Sequence, residues 1–296
     1  MRSLIRKAYA RVPFKRQAYH LLRGMKLPER VYRHLHFRGP ITVDIGEGRS
    51  FRTHHYGYQV ENDLFWAGFG NGWEATSLRL WARLARRSSV ILDVGANTGI
   101  YALSAKAANP AARVYAFEPA TRIHERLSRN IALNSYDIVP VMAGLSNRTG
   151  EATFYDTMSD HAYSASLDPD MLAGHPNRVR TTVAIARADD FVAKHGLGSI
   201  DLAKIDTERH EREVLEGFGS LIRSARPSFL IEILDRSLGS EVARMLGQDY
   251  AFFEIVEGVG VRRVDELGLG PRNHLVCPAA VAQEVGLGDG VAHASL

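Results

Sequence analysis

The sequence predicts an α/β fold in which helices cover both faces of a mostly parallel β-sheet. From residue 90 onward, short apolar runs alternate with segments of helical periodicity, which is typical of such sheets. The run Val90–Val94 is almost entirely apolar and ends at Gly95, as expected for a strand that is buried on both faces. Since open parallel sheets bind ligands at the carboxyl ends of their strands, we expect the functional residues there.

The other elements follow from the same two patterns, taken in chain order. Before the main alternation, β-branched and aromatic residues indicate a small β element with strands at 41–45, 50–53 and 56–60. In the main part, extended apolar runs predict strands at 90–94, 113–117, 139–145, 151–155, 182–185, 200–205, 228–234, 251–256 and 274–277. Apolar residues at helical spacing predict helices at 74–85, 100–108, 121–133, 188–194 and 211–222. The segment 158–180 has no clear period and is predicted to be a long loop near the ligand.

Length and composition bound the domain organisation. The chain has 296 residues, of which 45% are hydrophobic and 24% charged, so it is an ordinary globular chain of one large domain or two small ones. We divide it into a basic helical and β extension (1–73), the main domain (74–282) and a glycine-rich tail (283–296) that we expect to be flexible.

The number of cysteines and the hydropathy of the chain indicate in which cellular compartment the protein is expected. The single cysteine, Cys277, excludes an intrachain disulfide and makes a reducing compartment the default. No apolar run reaches the length of about 18 residues that a transmembrane helix needs, and a secretory signal is not evident. We therefore expect a cytoplasmic protein.

Charge is unevenly distributed along the chain. Residues 1–38 contain eleven Lys and Arg and one acid, Glu29, a net charge of +10, whereas the remainder has 26 bases against 32 acids. This basic arm is expected to pack as a helix with one solvated face, or to contact an anionic membrane surface, which would make the protein membrane-peripheral. Nucleic acid is a disfavoured partner because no platform of interleaved aromatic and basic residues is evident.

The loop after the first central strand has the composition of a nucleotide-cofactor turn. Asp93 lies at the strand end, Gly95 permits a tight turn with close ligand approach, and Gly99 lets the next helix begin close to the strand. Asn97 and Ile100 replace the second and third glycines of a dinucleotide-binding pattern, and no phosphate-binding lysine follows. The loop therefore suits a ligand with an amino-acid group, such as S-adenosylmethionine; the alternative is a structural turn without a cofactor.

A second acid marks the next strand end. Glu118 follows the strand 113–117 and lies 25 positions after Asp93. An acid at this place can accept hydrogen bonds from both ribose hydroxyls of an adenosine. The alternative is a solvated carboxylate beside Pro119.

Six segments, taken together, resemble the FkbM-type methyltransferase family. They are ILDVGANTGIYAL, VYAFEPA, RLSRNIALN, LSNRTGEATFY, SIDLAKIDTERHEREVLEGF and PSFLIEIL, and the resemblance covers about residues 74–278. It implies a Rossmann-like fold and S-adenosylmethionine-dependent O-methylation of sugar or polyketide hydroxyls. It also implies that Asp93 and Gly95 lie near the methionine moiety, that Glu118 lies at the ribose, and that residues 204–211 border the reactive methyl group.

One position departs from the family pattern. Arg209 stands where these methyltransferases usually have a glycine, in the sequence KIDTERHE. If that glycine adopts a positive φ, Arg209 is strained there. Alternatively its guanidinium points into the acceptor pocket and pairs with an anionic group.

An acidic cluster near the last parallel strands offers catalytic chemistry. A sugar hydroxyl needs a general base or a metal, and the candidate bases are His210, Asp206 and Glu208. Asp206 and Glu232 are also candidate ligands of a divalent cation such as Mg²⁺. The competing interpretation is that Glu208 and Glu211 cap the helix that begins there.

The sequence thus predicts an S-adenosylmethionine-dependent methyltransferase that acts on a sugar or another small-molecule hydroxyl. An RNA or protein methyltransferase and a degenerate, non-catalytic cofactor-binding module are the alternatives. A nicotinamide oxidoreductase is disfavoured because the glycine pattern is wrong.

Overall fold

The computed structural model describes residues 14–157, 166–168, 170, 174, 177–270, 272–287 and 292–293. Within them the strands are β1 Gly39–Gly46, β2 Arg49–His55, β3 Val90–Val94, β4 Arg113–Phe117, β5 Val139–Val141, β6 Gly144–Leu145, β7 Gly150–Asp156, β8 Val179–Ala186, β9 Leu202–Ile205, β10 Ser228–Glu232, β11 Tyr250–Val256, β12 Gly260–Val264, β13 Asn273–Pro278 and β14 Ala292–His293. The helices are α1 Lys15–Leu22, α2 Glu29–Tyr32, α3 Gln59–Trp66, α4 Ala75–Ala85, α5 Ile100–Ala108, α6 Thr121–Ala132, α7 Ala188–Lys194, α8 Glu211–Phe218, α9 Leu221–Ser224, α10 Arg236–Leu246 and α11 Ala279–Glu284, and a 3₁₀ turn spans Arg23–Met25.

The central sheet has the strand order β14-β12-β11-β13-β10-β9-β3-β4-β5. The five strands from β10 to β5 pair in parallel, whereas β13, β11, β12 and β14 pair antiparallel along one side. The predicted α/β sheet is therefore confirmed, and the carboxyl ends of β3, β4 and β9 meet at one edge.

Helices cover both faces of this sheet, as the apolar composition of β3 predicts. Ile91 packs into the apolar core on one face, and Leu92 packs into the core on the other. All five residues of β3 are buried. A strand with helices on both faces has no polar side, so apart from Asp93 the sequence of β3 is apolar rather than alternating.

The N-terminal extension shares a core with the main domain. Strands β1 and β2 form an antiparallel hairpin in which Ile41 pairs with Thr53. Val43 and Phe51 of this hairpin are buried in the same apolar cluster as Trp81 and Leu230 of the main domain. The boundary we drew at residue 73 is therefore not a boundary between separate cores.

Several elements differ from their predictions. Residues 56–60 are not a strand: the Glu61 carboxylate accepts the Tyr58 N–H at 3.2 Å, and α3 begins at Gln59. The predicted strand 139–145 is divided between two sheets, and the predicted helix 211–222 is interrupted at Gly219.

Toward the C-terminus the structure contains more order than the sequence indicates. Helix α10 and strand β12 have no counterpart among the predicted elements. In the segment assigned to a flexible tail, Val285 and Leu287 are buried and β14 pairs with β12. No helix in the described part of the chain is long and apolar enough to cross a membrane.

Candidate functional site

A cleft lies at the edge where the carboxyl ends of β3, β4 and β9 meet. The structure brings together most of the predicted site residues there: the cleft is lined by Asp93, Gly95, Asn97, Glu118, Asp206, Glu208 and His210. Gly99 lies just behind it at the start of α5, and Glu232 lies at the end of β10. A separate three-stranded sheet, in the order β6-β8-β7, contributes Leu145 and Phe154 to the lining of the cleft.

The backbone N–H groups of the loop after β3 are largely used within the protein. Those of Gly95 and Ala96 donate to the Phe117 carbonyl at 3.1 and 2.9 Å, and that of Asn97 donates to Glu118 Oε2 at 3.0 Å. Anion-binding loops need free N–H groups that point toward the ligand. The geometry is therefore consistent with a ligand that does not bind this loop through phosphate.

The two glycines of this loop are required by the protein's own packing. Gly95 has φ +77°, and a Cβ atom there would lie 1.9 Å from the Asp206 carbonyl oxygen. Gly99 has φ +89°, and its Cβ would lie 2.5 Å from Leu127 Cδ1. Gly95 therefore allows the ends of β3 and β9 to approach each other closely. The sequence does not reveal that Asp206 is the neighbour of Gly95.

Two buried acceptor atoms beside the cleft have no hydrogen-bond partner. Asp93 Oδ2 accepts the Ala102 N–H at 2.8 Å, but Asp93 Oδ1 and Asn97 Oδ1 accept nothing. Burial raises the pKa of Asp93 to about 6, although Lys204 opposes the shift. Unsatisfied buried acceptors are costly, so a ligand with N–H donors fits these positions.

Glu118 keeps acceptor capacity for a ligand although it is buried. Its Oε2 accepts the Asn97 N–H, and its Oε1 accepts the Ala120 N–H at 2.9 Å. Burial raises its pKa to about 7 against the effect of these two bonds. Each carboxylate oxygen has two lone pairs, so two further donors can be accommodated.

Lys204 is the cation at the centre of the cleft. Its Nζ lies 2.7 Å from Asp206 Oδ2 and 4.6 Å from the centroid of the Tyr101 ring, and the residue is 4% exposed. The Tyr101 hydroxyl in turn donates to Glu74 Oε2 at 2.5 Å. Burial lowers the pKa of Lys204, but Asp206, Glu74 and Asp93 outweigh it and raise the pKa above the ordinary value. Lys204 is therefore charged.

The segment after β9 is a tight turn rather than a simple helix start. Glu208 and Arg209 have φ +55° and +77°. Glu211 Oε1 accepts the N–H and the hydroxyl of Thr207 at 2.9 and 3.1 Å, so the carboxylate of Glu211 holds this turn together. Burial raises the pKa of Glu211 to about 7. Glu211 therefore has a structural role, but its carboxylate binds Thr207 in the turn before α8 and does not cap the helix as the competing interpretation predicts.

His210 is held by two neighbours. Its Nε2 lies 3.0 Å from Ser146 Oγ, and its Nδ1 lies 3.5 Å from Glu213 Oε2. Burial lowers the pKa of His210 despite the nearby carboxylate of Glu213. The ring is therefore neutral at neutral pH, and both of its nitrogens have a partner.

Glu208 also lines the cleft, and it differs from Asp206 and His210 because no described residue hydrogen-bonds to its carboxylate. Burial, and then the charge of Asp206, raise its pKa. Its backbone carbonyl accepts the Ser166 hydroxyl, and Leu167 also lines the cleft. These two residues belong to the predicted loop 158–180, most of which lies outside the described residues.

The metal site predicted from Asp206 and Glu232 is not supported by the side chains present. Among the described residues, no group of three or more His, Cys, Asp or Glu side chains is arranged to hold a metal ion. Asp206 pairs with Lys204, and Glu232 Oε1 lies 3.6 Å from Arg272 Nη1. Burial, Asp206, Glu208 and Glu211 raise the pKa of Glu232 to about 8.

We expect that replacing Arg209 by glycine stabilises the protein. An L-residue in the left-handed region costs about 1–2 kcal/mol, so Arg209→Gly should raise the free energy of unfolding by about 1 kcal/mol. Arg209→Ala, which keeps the Cβ atom and removes the guanidinium, is the control. Urea unfolding of the three proteins provides the measurement. An equal gain in both variants would attribute the effect to charge rather than to the backbone.

Sequence reasoning missed several residues that build the cleft. Val60 comes from α3 in the extension and belongs to no motif, so only the folded chain shows that it approaches the strand ends. Tyr101 had a usable signal, since it lies two positions after Gly99 in the helix that begins at the site.

Comparison with known proteins identifies a matching family and several related proteins. The methyltransferase FkbM domain matches residues 93–253, more than half of the chain. The hexuronic acid methyltransferase AglP of Haloferax volcanii is 25% identical over 203 residues, which cover 68% of this chain and 78% of AglP. The 31-O-demethyl-FK506 methyltransferase FkbM of Streptomyces tacrolimicus is 27% identical over 191 residues, which cover 56% of this chain and 74% of that protein.

One relative is much longer than this chain. The AMB antimetabolite synthetase AmbE of Pseudomonas aeruginosa is 29% identical over 187 residues, which cover 53% of this chain but 9% of AmbE. The segment matched by the FkbM domain runs from the end of β3 into β11 and contains the strand-end residues that line the cleft, from Asp93 to His210. This chain belongs to the FkbM methyltransferase family.

Proposed function

We propose that this protein transfers the methyl group of S-adenosylmethionine to a hydroxyl group of a sugar or another small molecule. The observation that carries the proposal is the set of unused acceptors at the ends of β3 and β4. Asp93 Oδ1 and Asn97 Oδ1 are buried without partners, and Glu118 has lone pairs to spare. A ligand with an ammonium group and a ribose supplies donors of the matching kinds.

The residues that we propose to bind the cofactor contact different parts of it. Glu118 would accept the ribose hydroxyls, while Asp93 and Asn97 would face the amino-acid end. When bound, S-adenosylmethionine supplies an electrophilic methyl group whose transfer leaves a neutral thioether. The carboxylates around the cleft also favour a positively charged sulfonium over its neutral product.

Glu208 is the general base in this proposal. A hydroxyl that becomes an ether must give up its proton, and the acceptor of that proton must be free and face the cleft. Asp206 is committed to Lys204, and His210 to Ser146 and Glu213. Glu208 lines the cleft, its carboxylate has no hydrogen-bond partner among the described residues, and burial has raised its pKa toward the working range of a base.

The acceptor class is supported by the relatives. AglP is named for a hexuronic acid, and FkbM for an O-demethyl substrate. Since the first name contains a hexuronic acid and the second refers to methylation at an oxygen, uronic acids and related sugars are the first acceptors to test. Transfer of a labelled methyl group from S-adenosylmethionine to such a panel tests the reaction directly, and a folded protein that binds the cofactor and methylates none of them would contradict the acceptor class.

Cofactor binding should depend on the ionisation of Glu118. Ribose hydroxyls donate to the carboxylate, so binding favours its charged form, and affinity should fall as the pH drops below about 7. Glu118→Gln should weaken binding by about tenfold or more, because a hydrogen bond to a charged group contributes about 1.5–3 kcal/mol. Calorimetric titration with S-adenosylmethionine and S-adenosylhomocysteine measures both effects.

The matched control for this titration is Glu125→Gln, an exposed carboxylate on α6 that pairs with Arg129. This variant should bind like the wild type at every pH. Equal binding by Glu118→Gln and Glu125→Gln would refute the ribose role of Glu118. No binding by any of the proteins, in a well-folded state, would refute the proposed cofactor.

A further inference from the structure

The N-terminal helical segment, residues 14–33, packs on the body of the protein through one face only. Tyr19 of α1 is buried, with its ring centroid 6.1 Å from that of Phe37 and 5.5 Å from that of Trp66. Tyr32 of α2 is also buried and stacks on Trp66 at 6.4 Å. These contacts fix which side of the segment faces outward.

The outward side exposes large apolar side chains. Phe14, Leu21 and Met25 are 74%, 84% and 66% exposed, and Val31 is 42% exposed. Leu21 lies in the last turn of α1, Met25 ends the 3₁₀ turn that follows, and Phe14 directly precedes α1. Across the described residues nine large hydrophobic side chains are exposed, and four of them fall within these 18 positions. Such clustering indicates an interaction surface rather than scattered surface apolar residues.

The same segment is strongly basic. Residues 14–38 contain seven Lys and Arg against the single acid Glu29, and Lys26, Arg30 and Arg33 are exposed. Within the part of the chain that the structure describes, no carboxylate lies within ion-pair distance of these three side chains. Residues 1–13 add four bases and no acid in the sequence.

We propose that this N-terminal face, formed by residues 14–33, docks onto an anionic lipid surface. Leu21 and Met25 would enter the headgroup region, and the surrounding Lys and Arg side chains would contact lipid phosphates. Exposed apolar residues beside a basic face are the combination that membrane-surface helices use, and each charge adds to binding near an anionic leaflet. The docking does not depend on the proposed methyl transfer.

The charge and side-chain composition of the N-terminal face favour a lipid surface as its partner over a second copy of the chain or a nucleic acid. A second copy of the chain would bring two basic surfaces together, and like charges repel across such an interface. A single-stranded nucleic acid would use exposed aromatic side chains for stacking. Of the four exposed apolar side chains of this segment, only Phe14 is aromatic, whereas Leu21, Met25 and Val31 are not.

Vesicle sedimentation of the full chain tests the proposal. We expect binding to vesicles of phosphatidylcholine with phosphatidylserine, little binding to phosphatidylcholine alone, and release as salt is raised. Leu21→Ser combined with Met25→Ser should weaken binding by about tenfold or more, because it removes the apolar contribution and leaves the charge. The matched control is Val259→Ser with Leu269→Ser, two exposed apolar residues elsewhere on the surface. Circular dichroism and thermal unfolding verify that all the proteins are folded.

Four results would overturn the inference. The first is no binding to phosphatidylserine vesicles, and the second is equal loss of binding in the control pair. The third is vesicle binding that is indifferent to Leu21 and Met25 and is displaced by RNA, which would identify a purely electrostatic nucleic-acid surface. The fourth is self-association in sedimentation velocity that the Leu21 and Met25 substitutions abolish, which would identify a second copy as the occupant.

Discussion

A Glu208→Gln variant is expected to bind S-adenosylmethionine like the wild type and to transfer its methyl group about 10²–10⁴-fold more slowly. Glutamine keeps the size of the side chain and one acceptor oxygen, but its amide cannot take a proton from the acceptor hydroxyl. Because Glu208 follows β9, where the charge of Asp206 acts on it, and Glu118 follows β4, replacing Glu208 should leave the ribose contacts intact. Single-turnover transfer measured with saturating cofactor and acceptor isolates the chemical step.

The pH dependence of turnover provides an independent test of Glu208 as the general base. A general base works only when it is deprotonated, so wild-type turnover should rise with pH through the pKa of Glu208, which burial and Asp206 raise above that of an ordinary glutamate. The Glu208→Gln variant should lack this limb. Glu151→Gln, an exposed carboxylate on β7, is the control and should retain wild-type turnover. If His210→Gln loses as much activity as Glu208→Gln while Glu208→Gln keeps the pH limb, the base is His210.

Short-range patterns predicted the parallel centre of the fold accurately. The strands β3 and β4 and the helices α5 and α7 have the bounds that the sequence predicts. In each case the signal is local: a strand buried on both faces is apolar throughout, and a glycine or proline ends the element. Glu118 was identified for the same reason, since the end of a predicted strand fixes the position of the next residue.

Local sequence patterns do not encode the contacts between segments that are distant in the chain. Gly95 was interpreted as room for a ligand, but the atom nearest to its missing Cβ is the carbonyl oxygen of Asp206, 111 positions later in the chain. Val60 and Trp73 enter the cleft from outside the methyltransferase motifs. Arg209 is an intermediate case: comparison with the family glycine predicted strain, and the structure gives it φ +77°.

Lys204 is not among the bases that the sequence predicts, yet its removal should have the largest effect on stability. It is the buried cation between Asp206, Glu74 and Asp93, and its charge opposes the effect of burial on the pKa of Asp93. Breaking a buried ion pair by removing one partner costs about 3–5 kcal/mol, because an uncompensated charge remains. A Lys204→Met variant, which retains most of the side-chain volume, should therefore have a free energy of unfolding about 3–5 kcal/mol lower near pH 8.

The deficit should shrink in acid. Without Lys204, the folded-state pKa of Asp93 rises further above its ordinary value and that of Glu74 rises with it. A carboxyl group whose pKa is raised by folding is neutral below that pKa and then does not destabilise the protein. As the pH rises through the raised pKa, the group becomes charged and the folded protein loses stability. Urea unfolding of wild type and Lys204→Met without cofactor, near pH 5 and near pH 8, measures the difference.

Lys194→Met is the matched control, since Lys194 lies exposed at the end of α7 and should change stability by less than about 0.5 kcal/mol at either pH. A Lys204→Met deficit that is the same at both pH values would mean that lost packing, and not uncompensated charge, causes it. A variant as stable as the wild type at both pH values would mean that Asp93 and Glu74 are already protonated together in the folded protein. In that case the positive charge at the centre of the cleft would serve ligand binding alone.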